Sequence, residues 1–319
     1  MTTDPVSRRR FLYQALGALF AARFAGASGL DGLSGPDGAG NFKAVYLDTA
    51  ERDKFFLFLQ NVFHLYPEDR FHQRILELTR EKATDREVYA ALLSDLPKIK
   101  PFLAGVRYDL PALKKQKKEM GDQAMTFLKP GAAVDGYMEV GSPGRYHSEL
   151  KKRLRLKGPV YVFTDIALSY SAADMVERGG PAMPGKFVAM GDYDPVPDSV
   201  PDRSLDLVVN FIGFHHAPPA KLAPFVASLK RVLRPGGRML VRDHDADTKK
   251  QDTLTALAHD VFNAGLLLSW EENARQVRLF RSLRDWTAYL TAAGFKRSER
   301  LLAQAHDPTQ NLLAEYVKS

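Results

Sequence analysis

The spacing of apolar positions changes near residue 136. Upstream, "TAERDKFFLFLQNVFHLY", "PEDRFHQRILELTR", "TDREVYAALLSDL" and "LPALKKQKKEMGDQAMTFL" repeat apolar residues at helical spacing, which predicts a helical layer over 44–133. Thr49 is the expected cap of the first helix. Pro67 with two acids suits the first turn of the second, and the third should end before Pro97. Downstream, short β-branched runs alternate with helical stretches. "YMEV" reads as a strand, "YHSELKKRLRLK" as a helix, "PVYVFTDI" (159–166) as a strand and "SAADMVERGG" as a helix. "KFVAMGDY" and "SLDLVVNFIGFHH" supply two more strands, "PPAKLAPFVASLKRVLRPGG" a helix with a glycine stop, and "RMLVRDHD" another strand. "DWTAYLTAAGF" makes a helix capped by Gly294, and "KRSERLLAQ", "HDPTQ" and "NLLAEYVKS" close as a hairpin. This order predicts an α/β fold: a doubly wound, mostly parallel sheet with a C-terminal antiparallel hairpin, and a ligand at the carboxyl ends of the strands.

The amino terminus departs from both patterns. "SRRRFL" (7–12) sets paired arginines before a modest apolar stretch, and Ala25 and Ala27 follow in a small-x-small pattern. Residues 1–27 resemble a twin-arginine export signal, which implies passage through the Tat translocase to the periplasm; the alternative is a basic tail on a cytoplasmic protein. The apolar stretch is too short to span a bilayer, so no stable membrane span is expected after cleavage. The Gly/Ser/Asp-rich segment behind it reads as a flexible linker over 28–43.

Composition narrows the function classes. The net charge is +7, but the basic runs "KKQKK" (114–118) and "KKRLRLK" (151–157) are interrupted and read as solvated helix faces, so nucleic acid is not expected as a partner. The chain has no cysteine, which excludes disulfides, thiolate zinc sites and cysteine nucleophiles.

The ordered set "MEVGSPG", "VFTD", "VAMGDYDPVPDSVPDRSLDLVV", "FHH" and "LKRVLRPGGRMLVRDHD", closed by a hairpin, resembles class I S-adenosylmethionine-dependent methyltransferases, nearest the ubiquinone/menaquinone-biosynthesis group. The likeness covers about 134–319 and implies a Rossmann-like domain with S-adenosylmethionine as cofactor. Gly141 and Gly144 allow close backbone approach after the first strand, and Asp165 stands where a carboxylate should accept the ribose hydroxyls. By resemblance, Glu139 supports the loop, Asp192 meets the adenine amino group, Tyr193 flanks the ring and Asn210 lies near the methionine moiety. The loop departs from the family pattern at Pro143, where a second glycine is expected; a donor without phosphate needs fewer backbone amides.

Methyl transfer needs alignment, desolvation and a base where the acceptor must lose a proton. Candidate bases follow the fourth and fifth strands: His215, His216, Asp243 and His244, the last two within "RDHD". Each also reads as a packed or salt-bridged residue. His, Asp and His could ligate a metal, but no spacing enforces one and none is assigned. His64 and His72, eight apart, could share a helix face but read as structural. "AHDVFNAG" (258–265) and "WEEN" (270–273) occupy an insertion where a substrate lid would sit. The expected activity is methylation of a small molecule; the alternatives are a protein or peptide methyltransferase and a non-catalytic binding protein on the same fold.

Overall fold

The computed structural model describes residues 40–100, 107–108, 110–165 and 167–319. The export-signal segment at 1–27 and the linker through residue 39 lie outside the described residues. Helices α1 (Asn41–Tyr46), α2 (Thr49–Phe58), α3 (Glu68–Glu81), α4 (Asp85–Ile99) and α5 (Leu110–Phe127) come first, with a π-helical turn at Leu59–Phe63. The α/β part runs β1 (Ala133–Val140), α6 (His147–Lys151), β2 (Arg155–Thr164), α7 (Ala172–Arg178), β3 (Lys186–Ala189), β4 (Leu205–Asn210), α8 (Pro219–Val232) and β5 (Leu233–His244). Helices α9 (Lys249–Gly265), α10 (Trp270–Ala274) and α11 (Leu283–Ala292) precede the hairpin β6 (Phe295–Ala303) and β7 (Asn311–Lys318). The seven strands lie in the order β3-β2-β1-β4-β5-β7-β6. Pairing is parallel from β3 to β5 and antiparallel through β7 and β6, as the alternation predicts.

Three apolar clusters hold the layers. One sheet face packs Met138, Phe163 and Val208 against α8 and α11 through Phe225, Leu229 and Leu290. The other packs Tyr137, Leu207 and Leu240 against α5 and α6 through Met120 and Leu150. The third joins α1–α4 to α9: Phe42, Phe55, Phe71, Tyr89 and Leu92 share it with Leu254, Leu257 and Val261. Each such buried side chain contributes roughly 1.5–3 kcal/mol of apolar transfer. The helical layer therefore closes its core on a helix that belongs to the sheet half.

Local departures from the sequence reading have visible causes. Residues 41–43, expected in the linker, are helical, because the Asp85 carboxylate accepts the amides of Asn41 (2.6 Å) and Phe42 (3.3 Å) and starts α1 there. Asp48, one residue before Thr49, caps α2 through the amides of Ala50 and Glu51. Helix α4 runs through Pro97, which sits in its last turn; the Lys100 amide still closes on the Leu96 carbonyl at 2.8 Å. The helix expected over 146–157 stops at Lys151, because Arg155–Lys157 pair in parallel with Ala133–Asp135. His64 and His72 do not share a face. His64 adopts a left-handed conformation (φ 46°) after the π turn and meets Glu68, whereas His72 meets the Tyr46 hydroxyl. Within the basic run of α5, Lys117 is half-buried and donates to the Glu177 carbonyl at 2.7 Å.

Candidate functional site

The site lies where the carboxyl ends of β1, β4 and β5 meet the helical layer. A cavity of about 200 Å³ is bounded there by Gly141–Pro143, Ile212 and four histidines. Its roof comes from Phe58–His64, α5 and α9.

The glycine loop is built from Glu139 outward. This buried carboxylate accepts from the Tyr137 hydroxyl (3.0 Å), the Ser142 hydroxyl, and the amides of Tyr146 (3.2 Å) and His147 (2.9 Å). Burial raises its affinity for a proton while those four donors oppose the shift. Pro143 therefore removes an amide from a loop whose shape is held by Ser142 and Glu139. Gly141 takes φ +79°, and a side chain there would run into Ile212. Gly144, at φ +81°, lies against Pro184 in the same way. Behind the loop, Arg145 makes a buried ion pair with Glu177 at 2.6 Å.

The predicted donor-site residues separate into two groups. Asp165, exposed at the end of β2, receives among the described residues only two long contacts of 3.3 Å, both from the Asp192 amide, so its carboxylate keeps acceptor capacity for two hydroxyls. Asp192 stands beside it, with Lys221 3.9 Å away. Asn210 and Tyr193 face inward. Asn210 is fully buried and ties its own loop, bonding the Gly213 carbonyl and the Ile212 amide. Tyr193 is also fully buried, its ring 5.0 Å edge-on to Phe225 in the core, so it does not flank a ligand ring. The reason is local: Asp192 and Tyr193 have φ of +53° and +67°, and the turn directs Tyr193 under the sheet edge.

The histidines converge. His215 and His216 follow β4, and His244 ends β5; the structure adds His259 from α9, which the sequence reading placed in a lid segment without a role. Asp243 lies underneath and accepts from the Phe214 amide (2.7 Å), His215 Nδ1 (2.7 Å) and the His244 amide (2.8 Å). Burial pushes Asp243 up to about 6 and His215 down to about 3. Three donors aimed at the carboxylate hold it ionised at neutral pH, beside a neutral imidazole. Burial likewise lowers His244 to about 4 and takes His216 and His259 well below their ordinary value. Nearby, Arg242 is buried, and its Nε has no hydrogen-bond partner among the described residues.

Residues 138–241 match the family model described as a methyltransferase domain. The match spans about a third of the chain, from the middle of β1 to the middle of β5. The exposed Asp165 carboxylate and the Gly141 turn lie at the carboxyl ends of neighbouring strands in this region. Over 140 residues, 42% of this chain, the sequence is 31% identical to the highly reducing polyketide synthase sthA of Phaeosphaeria nodorum, and 30% identical to bet1 of Neocamarosporium betae. The chain spans only about 5% and 4% of those proteins' lengths. Among solved structures, the 1,6-didemethyltoxoflavin-N1-methyltransferase of Burkholderia thailandensis, with bound 1,6-didemethyltoxoflavin and S-adenosylhomocysteine, is 14% identical at TM-score 0.45; the match covers 75% of this chain and 92% of that one. A Bordetella parapertussis protein described as a possible exported protein is 14% identical at TM-score 0.41, over 90% of this chain and 99% of that one. No helix among the described residues is long and apolar enough to cross a membrane.

Proposed function

We propose that this protein transfers a methyl group from S-adenosylmethionine to a small, anionic acceptor enclosed between the sheet and the helical layer. One observation carries the reading: a single cavity has the Gly141–Pro143 turn on one wall and four imidazoles on another. Asp165 would hold the ribose hydroxyls, with Asp192 beside it, and the turn at Gly141 would let the donor approach the backbone. The donor supplies a sulfonium-bound methyl group for in-line displacement.

The protein's own groups then do three things. The roof from Phe58 to His64, α5 and α9 excludes water. Arg242, whose buried Nε has no hydrogen-bond partner among the described residues, offers its guanidinium to a carboxylate or similar anion on the acceptor. His244, whose Nδ1 faces the Thr309 carbonyl at 2.8 Å, keeps Nε2 free to take the acceptor's proton, while Asp243 fixes His215. A roofed cavity of this size suits a small molecule better than a protein side chain on its backbone.

Calorimetry with S-adenosylhomocysteine, followed by labelled methyl transfer to small-molecule extracts and to intact proteins, tests the reading. Absence of adenosylhomocysteine binding in folded protein would refute it, and label appearing only on proteins would refute the acceptor class. We further propose export by the twin-arginine route, supported by Arg8, Arg9 and the Ala25–Ala27 pattern. Retention of wild-type protein in the cytoplasm at its full mass would overturn that.

A further inference from the structure

Four of the chain's eight histidines share one cluster, drawn from three separate parts of the chain. Ring centroids lie 4.2 Å apart for His215 and His216, 5.1 Å for His215 and His244, 5.1 Å for His215 and His259, and 5.3 Å for His244 and His259.

Their outer contacts fix the tautomers. His215 Nδ1 faces Asp243 Oδ1 (2.7 Å), His216 Nδ1 the Val277 carbonyl (3.1 Å), His244 Nδ1 the Thr309 carbonyl (2.8 Å) and His259 Nδ1 the Thr255 carbonyl (2.9 Å). Each of those oxygens only accepts, so each Nδ1 carries the proton, and in neutral rings the facing Nε2 atoms of His215 and His259 both present lone pairs. Yet His215 Nε2 and His259 Nε2 are 3.2 Å apart. Two lone pairs at that distance repel unless positive charge sits between them. A ring nitrogen of His216 joins them, the three atoms all lying within 4.8 Å of one another.

We propose that His215, His216 and His259 bind a divalent transition-metal ion of the zinc type, with open coordination toward the cavity. Imidazole nitrogens suit such ions, and two ligands at about 2.0–2.1 Å in tetrahedral geometry stand about 3.3 Å apart. The His215–His259 spacing of 3.2 Å already meets this. The widest pair, at 4.8 Å, must close by about 1.5 Å, the reach of a side-chain rotation. The outer shell also fits: ligating imidazoles ordinarily give their second N–H to a carboxylate or backbone carbonyl, and all three do so here.

The inference rests on the methyl-transfer reading only for its use. An acceptor hydroxyl at the open position would give its proton to His244, and the metal would hold the oxyanion that attacks the methyl carbon. One C–O bond then forms as the C–S bond breaks, leaving neutral adenosylhomocysteine.

The test uses the full chain without a polyhistidine tag, stripped with a chelator and titrated with Co²⁺. Uptake of one equivalent with visible absorption is expected, together with competition by Zn²⁺. The double variant His216→Ala/His259→Ala should bind at least about 100-fold more weakly, since even outer-shell losses cost about 10–100-fold. Adenosylhomocysteine affinity reports whether each variant is folded, and His259→Gln serves if the double variant is not. No stoichiometric uptake by wild type, or equal uptake by folded variants, overturns the proposal. Intact adenosylhomocysteine binding in that case leaves methyl transfer standing, with a shared proton between the two imidazoles in place of the metal.

Discussion

Replacing Asp243 by asparagine changes one atom type at the centre of the histidine cluster, so its effect can be worked out. The carboxylate accepts three N–H groups at 2.7–2.8 Å, from Phe214, His215 and His244. An asparagine offers one acceptor oxygen and one NH₂, so at least one buried donor must face another donor. A hydrogen bond to a charged group contributes about 1.5–3 kcal/mol, and a buried group left unmatched costs about 1–3 kcal/mol. Their sum places Asp243→Asn about 2.5–6 kcal/mol below wild type, before relaxation. At about 2–4 °C per kcal/mol for a chain of a few hundred residues, the melting temperature should fall by on the order of 10 °C. Differential scanning fluorimetry reads this directly. A second readout separates structure from chemistry. With an NH₂ opposite it, His215 should shift its proton from Nδ1 to Nε2, which ¹⁵N chemical shifts of the imidazole resolve. A fall of less than about 2 °C, with Nδ1 still protonated, would refute both the donor count and the tautomer argument.

Other perturbations probe separate parts. Asp165→Ala should weaken adenosylhomocysteine binding by about 1.5–3 kcal/mol by calorimetry, as two ribose hydroxyls lose a charged acceptor; unchanged affinity in a folded variant removes Asp165 from the donor site. Gly141→Ala should cost about 1–2 kcal/mol of stability through its positive φ alone. Adding Ile212→Ala should relieve the side-chain clash but not the backbone cost; full recovery would contradict the φ argument. Burial, with Asp260 adding to it, raises Asp85 to about 6 from an ordinary 3.8. Between about pH 4 and 6 the folded chain then holds a proton that the unfolded chain has released, so Asp85 makes stability fall as pH rises. The pH slope of chemical denaturation should lessen in Asp85→Asn, by at most about 1.4 kcal/mol per unit and less for a partly exposed group; an identical slope would count against it.

The strand–helix alternation was legible because buried parallel strands must be apolar and their crossovers must be amphipathic. Asp165 could be placed for the same reason, as the residue that follows an apolar run marks the carboxyl end of its strand. Side-chain direction across a turn is not encoded in that pattern. Tyr193 stands next to Asp192 and near Asp165, yet positive φ at Asp192 and Tyr193 turns its ring into the core against Phe225. The start of β2 was missed because register decides it: Arg155–Lys157 are strand only because Ala133–Asp135 lie alongside. His259 was missed for a longer-range reason. Its segment reads as an amphipathic helix, and its meaning comes from His215, 44 positions away. The one available signal was that a lid segment over a reactive cavity carries a histidine at all.

That same helix ties the helical layer to the chemistry. Leu254, Leu257, Ala258 and Val261 of α9 pack into the core of α1–α4, while His259 on the next turn's edge reaches the cluster beneath the roof. The position of its Nε2 relative to His215 is therefore set by packing in a region that carries no catalytic candidate of its own. Asp260, adjacent to it, is locked by Asn41, Asn273 and Arg278, so α1, α9 and the loop after α10 share one polar tie. Four neutral imidazoles beside the Arg242 guanidinium are costly to hold together in a wet cleft, where water could protonate and separate them. The layer that roofs the cavity is also the layer that positions the fourth ring. The sheet without it would keep the Gly141–Pro143 turn and Asp165 but lose the geometry that brings the four imidazoles together.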